Sequence, residues 1–452
     1  MRKKEKITIV GAGLSGPVLA VLLAKKGYTV ALYERRPDMR VHDISAGRSI
    51  NLVLSDRGLV PLRKIGMEEK VLEETVPMYG RMIHDVNGNT NMQPYSGRKG
   101  DCIYSSSRGG LNAKLMDEAE RNNIPIYFNH RCVEADPETG TTLFIDEDTG
   151  EEVQVEADMV IGTDGAGSAV RNSMLKHSGR LRFNFSQEYL KHGYKELNIP
   201  PGTGENLFRI ENHVLHIWPR GGFMLLALPN FDGSFTVTLF HYYKGATGFD
   251  KLTSAEKILE FFNDAFPDVV PHMPELASDF LQNPTGTLVT VRCYPWQALG
   301  KCLLLGDAAH AIVPFYGQGM NCAFEDCFIF DSLLEKYSGD WKKTLKAYQE
   351  SRKADTDAIA DLAIENFYEM RDHVANDTFV KKHRLEMKLE HAYTDYYSKY
   401  SLVTFREDMP YTVARERGKK QDKLLLDLCS KVKDIEELDL DMVYRKVKEA
   451  VD

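Results

Sequence analysis

Cysteine is sparse and unpatterned in this chain: seven residues in 452, an odd number, with no CxxC pair. Cys102, Cys132, Cys293, Cys302, Cys322, Cys327 and Cys429 are scattered. This excludes a disulfide framework and reads as reduced thiols in a reducing, cytoplasmic compartment. No apolar run reaches the roughly 18 residues a membrane span needs, so none is expected. The start, MRKKEKITIVG, is basic but lacks an apolar core and a small-residue cleavage site, which predicts no signal peptide. The 13 histidines are dispersed without HExxH or similar spacing, so no metal is expected. A net charge of −9, with no basic stripe interleaved with aromatics, argues against nucleic acid as a partner.

What the chain has is apolar mass and glycine. At 43% hydrophobic it can bury a large core, and its length suggests two or three domains. Three separated glycine-bearing segments stand out. The first, ITIVGAGLSGPVLAVLLAKKGYTVALYERR, places Gly11, Gly13 and Gly16 between a β-branched run and a helical pattern, with Glu34 ending the next strand. Such a turn lets backbone N–H groups approach a pyrophosphate at a helix N-terminus, while the acid accepts from a ribose hydroxyl. The second, ADMVIGTDGAGSAVR, carries Asp164 and Arg171; the third, CLLLGDAAHAIVPFYGQGMN, carries Asp307 after an apolar strand. A carboxylate there suits ribityl hydroxyls, which belong to FAD and not to NAD. The third segment breaks at Pro314 and restarts as a helix whose N-terminus, with Met320 and Asn321, would face an electron-rich ring.

Around these segments the pattern reads as one α/β unit interrupted by insertions. From about 180 to 295 it turns to period-two strands. In GSFTVTLFHYY, Phe235, Val237 and Leu239 share one face, and Thr236, Thr238 and Phe240 the other. The mixed Thr/Phe face is either a helix-packing surface, the option favoured by pattern, or the roof of a pocket. Residues 323–375 and 376–450 read as helical. The expected architecture is a Rossmann-like FAD-binding domain (1–179, continued by 296–375 with a long helix), an inserted antiparallel-sheet substrate domain (180–295) and a helical C-terminal region (376–452).

Together the three segments resemble the FAD-dependent aromatic hydroxylases built like para-hydroxybenzoate hydroxylase. Further stretches narrow this: GRSINLVLS, GRMIH, HGYKEL, LHIWPRG, FTVTLF, VPFYGQGMNCAFEDC, ENFYEMR and YSLVTF, spread over nearly the whole chain, are similar to the kynurenine 3-monooxygenase family. The resemblance implies FAD as cofactor, NADPH and O₂ as co-substrates, and hydroxylation of L-kynurenine to 3-hydroxykynurenine through a flavin C4a-hydroperoxide, a step of tryptophan degradation. It also implies a site without a catalytic acid or base: the aniline nitrogen already activates the ring, and the protein supplies positioning and exclusion of water.

By the same resemblance Arg81 binds the substrate carboxylate, as guanidinium suits, with Tyr95 and Tyr400 adding phenolic hydrogen bonds. Asn366 faces the polar end, and Asn366, Glu369 and Met370, at i, i+3 and i+4, share a helix face. Phe240, Pro314 and Phe315 line the ring slot. For the flavin the resemblance implies Gly11, Gly13, Ser15, Gly16, Tyr33, Glu34, Arg35, Arg36, Val53, Arg108, Cys132 (through its backbone), Asp164, Asp307, Met320 and Asn321. Tyr316 departs from the pattern and leaves the pocket mouth open to question. The C-terminal tail lacks the hydrophobic anchor of animal forms, which implies a soluble bacterial type; a homodimer is a further expectation. The competing readings are a hydroxylase of another electron-rich aromatic and a flavin-bearing redox interaction protein.

Overall fold

A computed structural model describes residues 5–41, 51–204, 206–373 and 376–451. The start of the GRSINLVLS motif, residues 47–50, lies outside them. Strand Lys6–Val10 is buried on both faces, as a central parallel strand must be. It turns at Gly11 into helix Ser15–Lys25, and strand Thr29–Tyr33 returns beside it in parallel. Met159–Gly162 and Cys302–Leu304 extend the sheet on the other side, also in parallel. All three glycine-bearing segments thus leave one sheet of six strands at neighbouring strand ends. That is where ligands bind in open α/β sheets.

A second sheet has seven strands, ordered Gly286–Tyr294, Asn184–Ile199, Phe235–Tyr242, Met224–Pro229, Val214–Pro219, Gly80–His84 and Thr90–Pro94. It is antiparallel except where Val214–Pro219 meets Gly80–His84. Its two faces differ from the favoured expectation. Phe235, Val237 and Leu239 pack with Ile258, Phe261 and Phe262 of helix Ala255–Ala265 and with Phe280 of Leu276–Gln282. The opposite face, with Thr238 and Phe240, roofs a cavity. AEKILEFFNDA sits among strands, which masks its helical spacing of apolar residues in the sequence.

Helix Trp341–Tyr368, 28 residues long, ends in a π turn, Glu369–His373. Helices Asp377–Ala392, Lys399–Thr404, Tyr411–Ser430 and Leu440–Val451 follow. Leu385, Leu389, Tyr396, Leu425, Cys429, Val443 and Val447 share a core among them. Among the described residues no helix is long and apolar enough to cross a membrane.

Candidate active site

A cavity of about 620 Å³ is lined from both large sheets, within the roughly 300–1,000 Å³ usual for cofactor sites. At one end it is built by the first glycine turn. Gly11 has φ +100°, and a Cβ there would lie 2.7 Å from the Thr163 carbonyl oxygen, so the turn requires glycine. A Cβ on Gly13, by contrast, would meet nothing within 4 Å: it would project into the cavity. Gly16 has a third task, since a Cβ would come 2.2 Å from the Gly11 carbonyl oxygen. It permits close strand–helix packing and does not line the cavity. Ser15, Tyr33, Arg35, Val53, Arg108 and Cys132 all border the space.

Glu34 is buried at the end of its strand. Its carboxylate accepts from the Ala12 N–H (2.9 Å) and from Arg36 Nε (2.8 Å), which fixes it at the cavity edge. Asp164 accepts from the Ala169 N–H through Oδ2 (2.6 Å), but its buried Oδ1 has no partner. Asp307 lies deep in the protein yet is exposed, because it borders the cavity; burial pushes its carboxyl up, against the pull of Arg108 and His310. An open glycine cradle, an orphaned carboxylate oxygen and a second acid facing empty space are the features a dinucleotide with a polyol chain would satisfy. The residues present fit FAD.

The third segment shapes the middle of the cavity. Met320 lines it, but Asn321 does not. The Asn321 side chain is fully buried and spent on backbone: Nδ2 donates to the carbonyls of Val53 and Gly317 (both 2.8 Å), and Oδ1 accepts from the Ser55 N–H (3.0 Å). The side chain clamps the loop and is not itself turned to the cavity.

The far end is apolar. Leu215, Leu226, Leu228, Phe240, Ile312, Pro314, Phe315 and Met370 wall it, with the Phe240 and Phe315 rings 4.9 Å apart. Thr238 also lines it, its buried hydroxyl without a partner. Arg81 lines the same cavity, its guanidinium 4.9 Å from the Tyr400 ring centroid and 5.7 Å from that of Tyr95. Arg81 Nε and Tyr95 Oη are buried and unpaired. Desolvation works against the Arg81 charge, but the phenol oxygens of Tyr400 and Tyr95 and the Glu369 carboxylate outweigh it, and the shift is upward. Tyr316 also stacks on Tyr400, with ring centroids 5.7 Å apart, and adds a third phenol ring to this aromatic wall.

Behind this wall lies a smaller cavity of about 60 Å³, reached by Arg81, Tyr95, Tyr316, Tyr400, Asn366 and Glu369. The expected single face of Asn366, Glu369 and Met370 is therefore divided: Met370 borders the large cavity, and the other two the small one. Neighbouring residues diverge by about 100° around an α-helix and little less in the π turn that follows Tyr368, so Glu369 and Met370 face different spaces. Asn366 Nδ2 donates to the Phe315 carbonyl oxygen at 2.6 Å, so it braces the ring slot. Glu369 is held by Lys399 through Oε2 at 3.2 Å. Burial pushes the Glu369 carboxyl up; Lys399, Lys382 and Arg81 more than offset this, and the shift is downward.

Other side chains tie the segments together. Arg171, in the second segment, is buried and donates to the carbonyls of Ala166 and Ala308 (2.5 and 2.9 Å), stapling the second segment to the third. His310, Cys322 and Asp326 bring ligand-type atoms within 4.8 Å of one another. Yet Arg352 Nε already holds Asp326 Oδ1 at 2.7 Å and His310 Nε2 its Oδ2 at 2.5 Å. A guanidinium occupies the place a cation would take.

Residues 4–363 match a family model described as an FAD binding domain. The chain is 46% identical to the kynurenine 3-monooxygenase of Myxococcus xanthus, covering 97% of this chain and 94% of that protein. It is 44% identical to the one of Dictyostelium discoideum, covering 98% of each. The fold is shared with 2-methyl-3-hydroxypyridine-5-carboxylic acid oxygenase (TM-score 0.67, 23% identity, 85% of this chain and 98% of that one). It is shared as well with a tetracycline destructase (TM-score 0.63, 18% identity, 90% of this chain and all of that one). With near-complete coverage by such relatives and an FAD-binding match over most of its length, the chain belongs to the FAD-dependent kynurenine 3-monooxygenase family.

Proposed function

We propose that the chain hydroxylates L-kynurenine at ring position 3, consuming NADPH and O₂ and yielding 3-hydroxykynurenine, NADP⁺ and water. The observation that carries this reading is the Arg81 guanidinium between Tyr95 and Tyr400, its buried Nε without a partner, at the end of an apolar slot that opens onto the flavin cradle. A charged acceptor and a flat apolar body fit that arrangement, and both belong to one molecule of kynurenine. Glu34, Asp164, Asp307 and the Gly11–Gly16 turn would hold FAD, which when bound supplies electron transfer from NADPH and activation of O₂.

The protein's own part is positional. Arg81 takes the substrate carboxylate in a charge-assisted pair strengthened by its dry surroundings, and Tyr95 adds its free hydroxyl. Phe240, Phe315 and Met370 then hold the ring in one plane, and the closed wall keeps water from the oxygen-transfer step. Asn366 fixes the Phe315 backbone, and with it the slot width. No side chain is asked to remove a ring proton, since the aniline nitrogen already supplies electron density. Thr238, on the wall with an unpaired hydroxyl, suits the substrate's polar ring substituents. The seven unpaired cysteines suit a cytoplasmic setting, which with a homodimeric state forms part of the proposal.

The test is NADPH oxidation by the purified yellow protein with and without L-kynurenine, together with chromatography of the product. Faster oxidation and a hydroxylated product are expected. Neither effect with kynurenine, but both with another aromatic amine or phenol, would transfer the reading to that substrate class.

A further inference from the structure

We propose that Lys399 is a positioning residue that sets selectivity for a substrate bearing a free α-ammonium, acting through Glu369; this rests on the function proposed above. An α-amino acid presents one negative and one positive group, and recognition of both needs a cation and an anion held apart in one space. Arg81 and Glu369 are such a pair, and both border the small cavity behind the tyrosine wall. A carboxylate in so dry a place recognises an ammonium only while it is ionised.

The C-terminal helices hold Glu369 in that state. Lys399 Nζ lies 3.2 Å from Glu369 Oε2 and 2.5 Å from Asp422 Oδ2, all three side chains mostly buried. One ammonium is thereby shared between two carboxylates, and it engages Glu369 through Oε2. Lys382 from helix Asp377–Ala392 secures Asp422 in turn at 2.6 Å.

The stem of Lys399 is gripped as firmly as its tip. A Cβ added to Gly418 would come 2.4 Å from Lys399 Cγ and 2.8 Å from its Cβ. Gly418 and Asp422 stand at i and i+4 on helix Tyr411–Ser430, so one helix face offers a groove for the methylenes and a carboxylate for the ammonium. Lys399 also directly precedes Tyr400 in helix Lys399–Thr404, so the same grip fixes the phenol beside Arg81. Without Lys399, burial would favour the neutral acid at Glu369, and the attraction for an ammonium would go with its charge.

The experiment uses the FAD-loaded enzyme and two substrates: L-kynurenine and 4-(2-aminophenyl)-4-oxobutanoate, the same molecule without the α-amino group. Lys399→Met should raise KM for kynurenine about tenfold or more, the loss of one charge-assisted contact, and leave that for the desamino analogue within about twofold. Lys399→Arg, which keeps the charge and the stem, should restore most of the discrimination. Gly418→Ala, which displaces Lys399 from a different helix, should shift selectivity the same way and carries the test if Lys399→Met does not fold. Parallel rises in KM for both substrates, or an unchanged ratio in Lys399→Met and Gly418→Ala alike, would overturn the assignment while leaving the function intact. Absence of kynurenine turnover in the unaltered enzyme would overturn the function itself, and this assignment with it.

Discussion

Tyr95 and Tyr400 stack with ring centroids 4.9 Å apart and planes only 11° from parallel, though one follows an edge strand of the second sheet and the other sits in a short C-terminal helix. Arg81 lies against both rings. The site's polar end therefore exists only when the two ends of the chain meet.

Arg81→Ala should raise KM for kynurenine by roughly 1.5–3 kcal/mol of lost charge-assisted bonding, about ten- to a hundredfold. FAD content should stay at the level of the unaltered enzyme, because the guanidinium stands at the cavity end remote from the glycine turn. Steady-state kinetics and the bound-flavin absorbance check the two halves. Loss of flavin with KM unchanged would show that Arg81 serves the cofactor.

The two neighbouring glycines should fail differently. Gly13→Ala has room in the protein itself, so the thermal midpoint of the flavin-free protein should hardly move while FAD affinity falls. Gly11→Ala meets the Thr163 carbonyl at a positive φ and should lower the flavin-free midpoint too. Calorimetry of both flavin-free variants, followed by flavin titration, separates them.

Asn366→Leu removes the donor to the buried Phe315 carbonyl, at a cost of about 1–3 kcal/mol for the unsatisfied group. The ring slot should loosen. NADPH oxidation should persist while less of it yields hydroxylated product, the remainder appearing as hydrogen peroxide. An unchanged ratio of product to NADPH would remove Asn366 from the bracing role.

Stability should carry a signature of Glu386. Burial pushes its carboxyl up to about 7, against the pull of Lys382 and with Asp422 and Glu390 adding to the rise. Between the ordinary value of 4.5 and about 7 the folded protein binds more protons at this group than the unfolded chain does. Its contribution is thus complete below that window and is lost as pH rises through it. Glu386→Gln should flatten this part of the profile, measured as the urea midpoint across the window. A profile that keeps its slope in the variant would assign the dependence to other groups.

The nucleotide half was legible because its chemistry needs local patterns: glycines where a Cβ cannot go, an acid one strand later, an apolar strand before Asp307. Even so, Gly16 serves strand–helix packing and the Asn321 side chain serves loop geometry, roles that spacing alone does not reveal. The substrate half depends on residues distant in sequence. Lys399, Gly418 and Asp422 carry no motif, since a lysine between two acids reads as a solvated surface until the helices close over it. Helical spacing puts Asn366, Glu369 and Met370 in one sector, but it cannot say where within that sector the boundary between two cavities falls. Thr238 had been visible as one of two options for its strand face, and tertiary packing decided for the pocket.

The FAD-binding match ends at residue 363, whereas Glu369, Lys399, Tyr400, Gly418 and Asp422 all come later. Arg81 and Tyr95, which would take the carboxylate, lie inside that match, whereas the residues proposed to meet the ammonium lie beyond it. A lineage could keep the flavin cradle and the carboxylate clamp and alter its demand for an ammonium by exchanging the tail. Chimeras spliced just before the π turn are the natural place to look for such a change of diet.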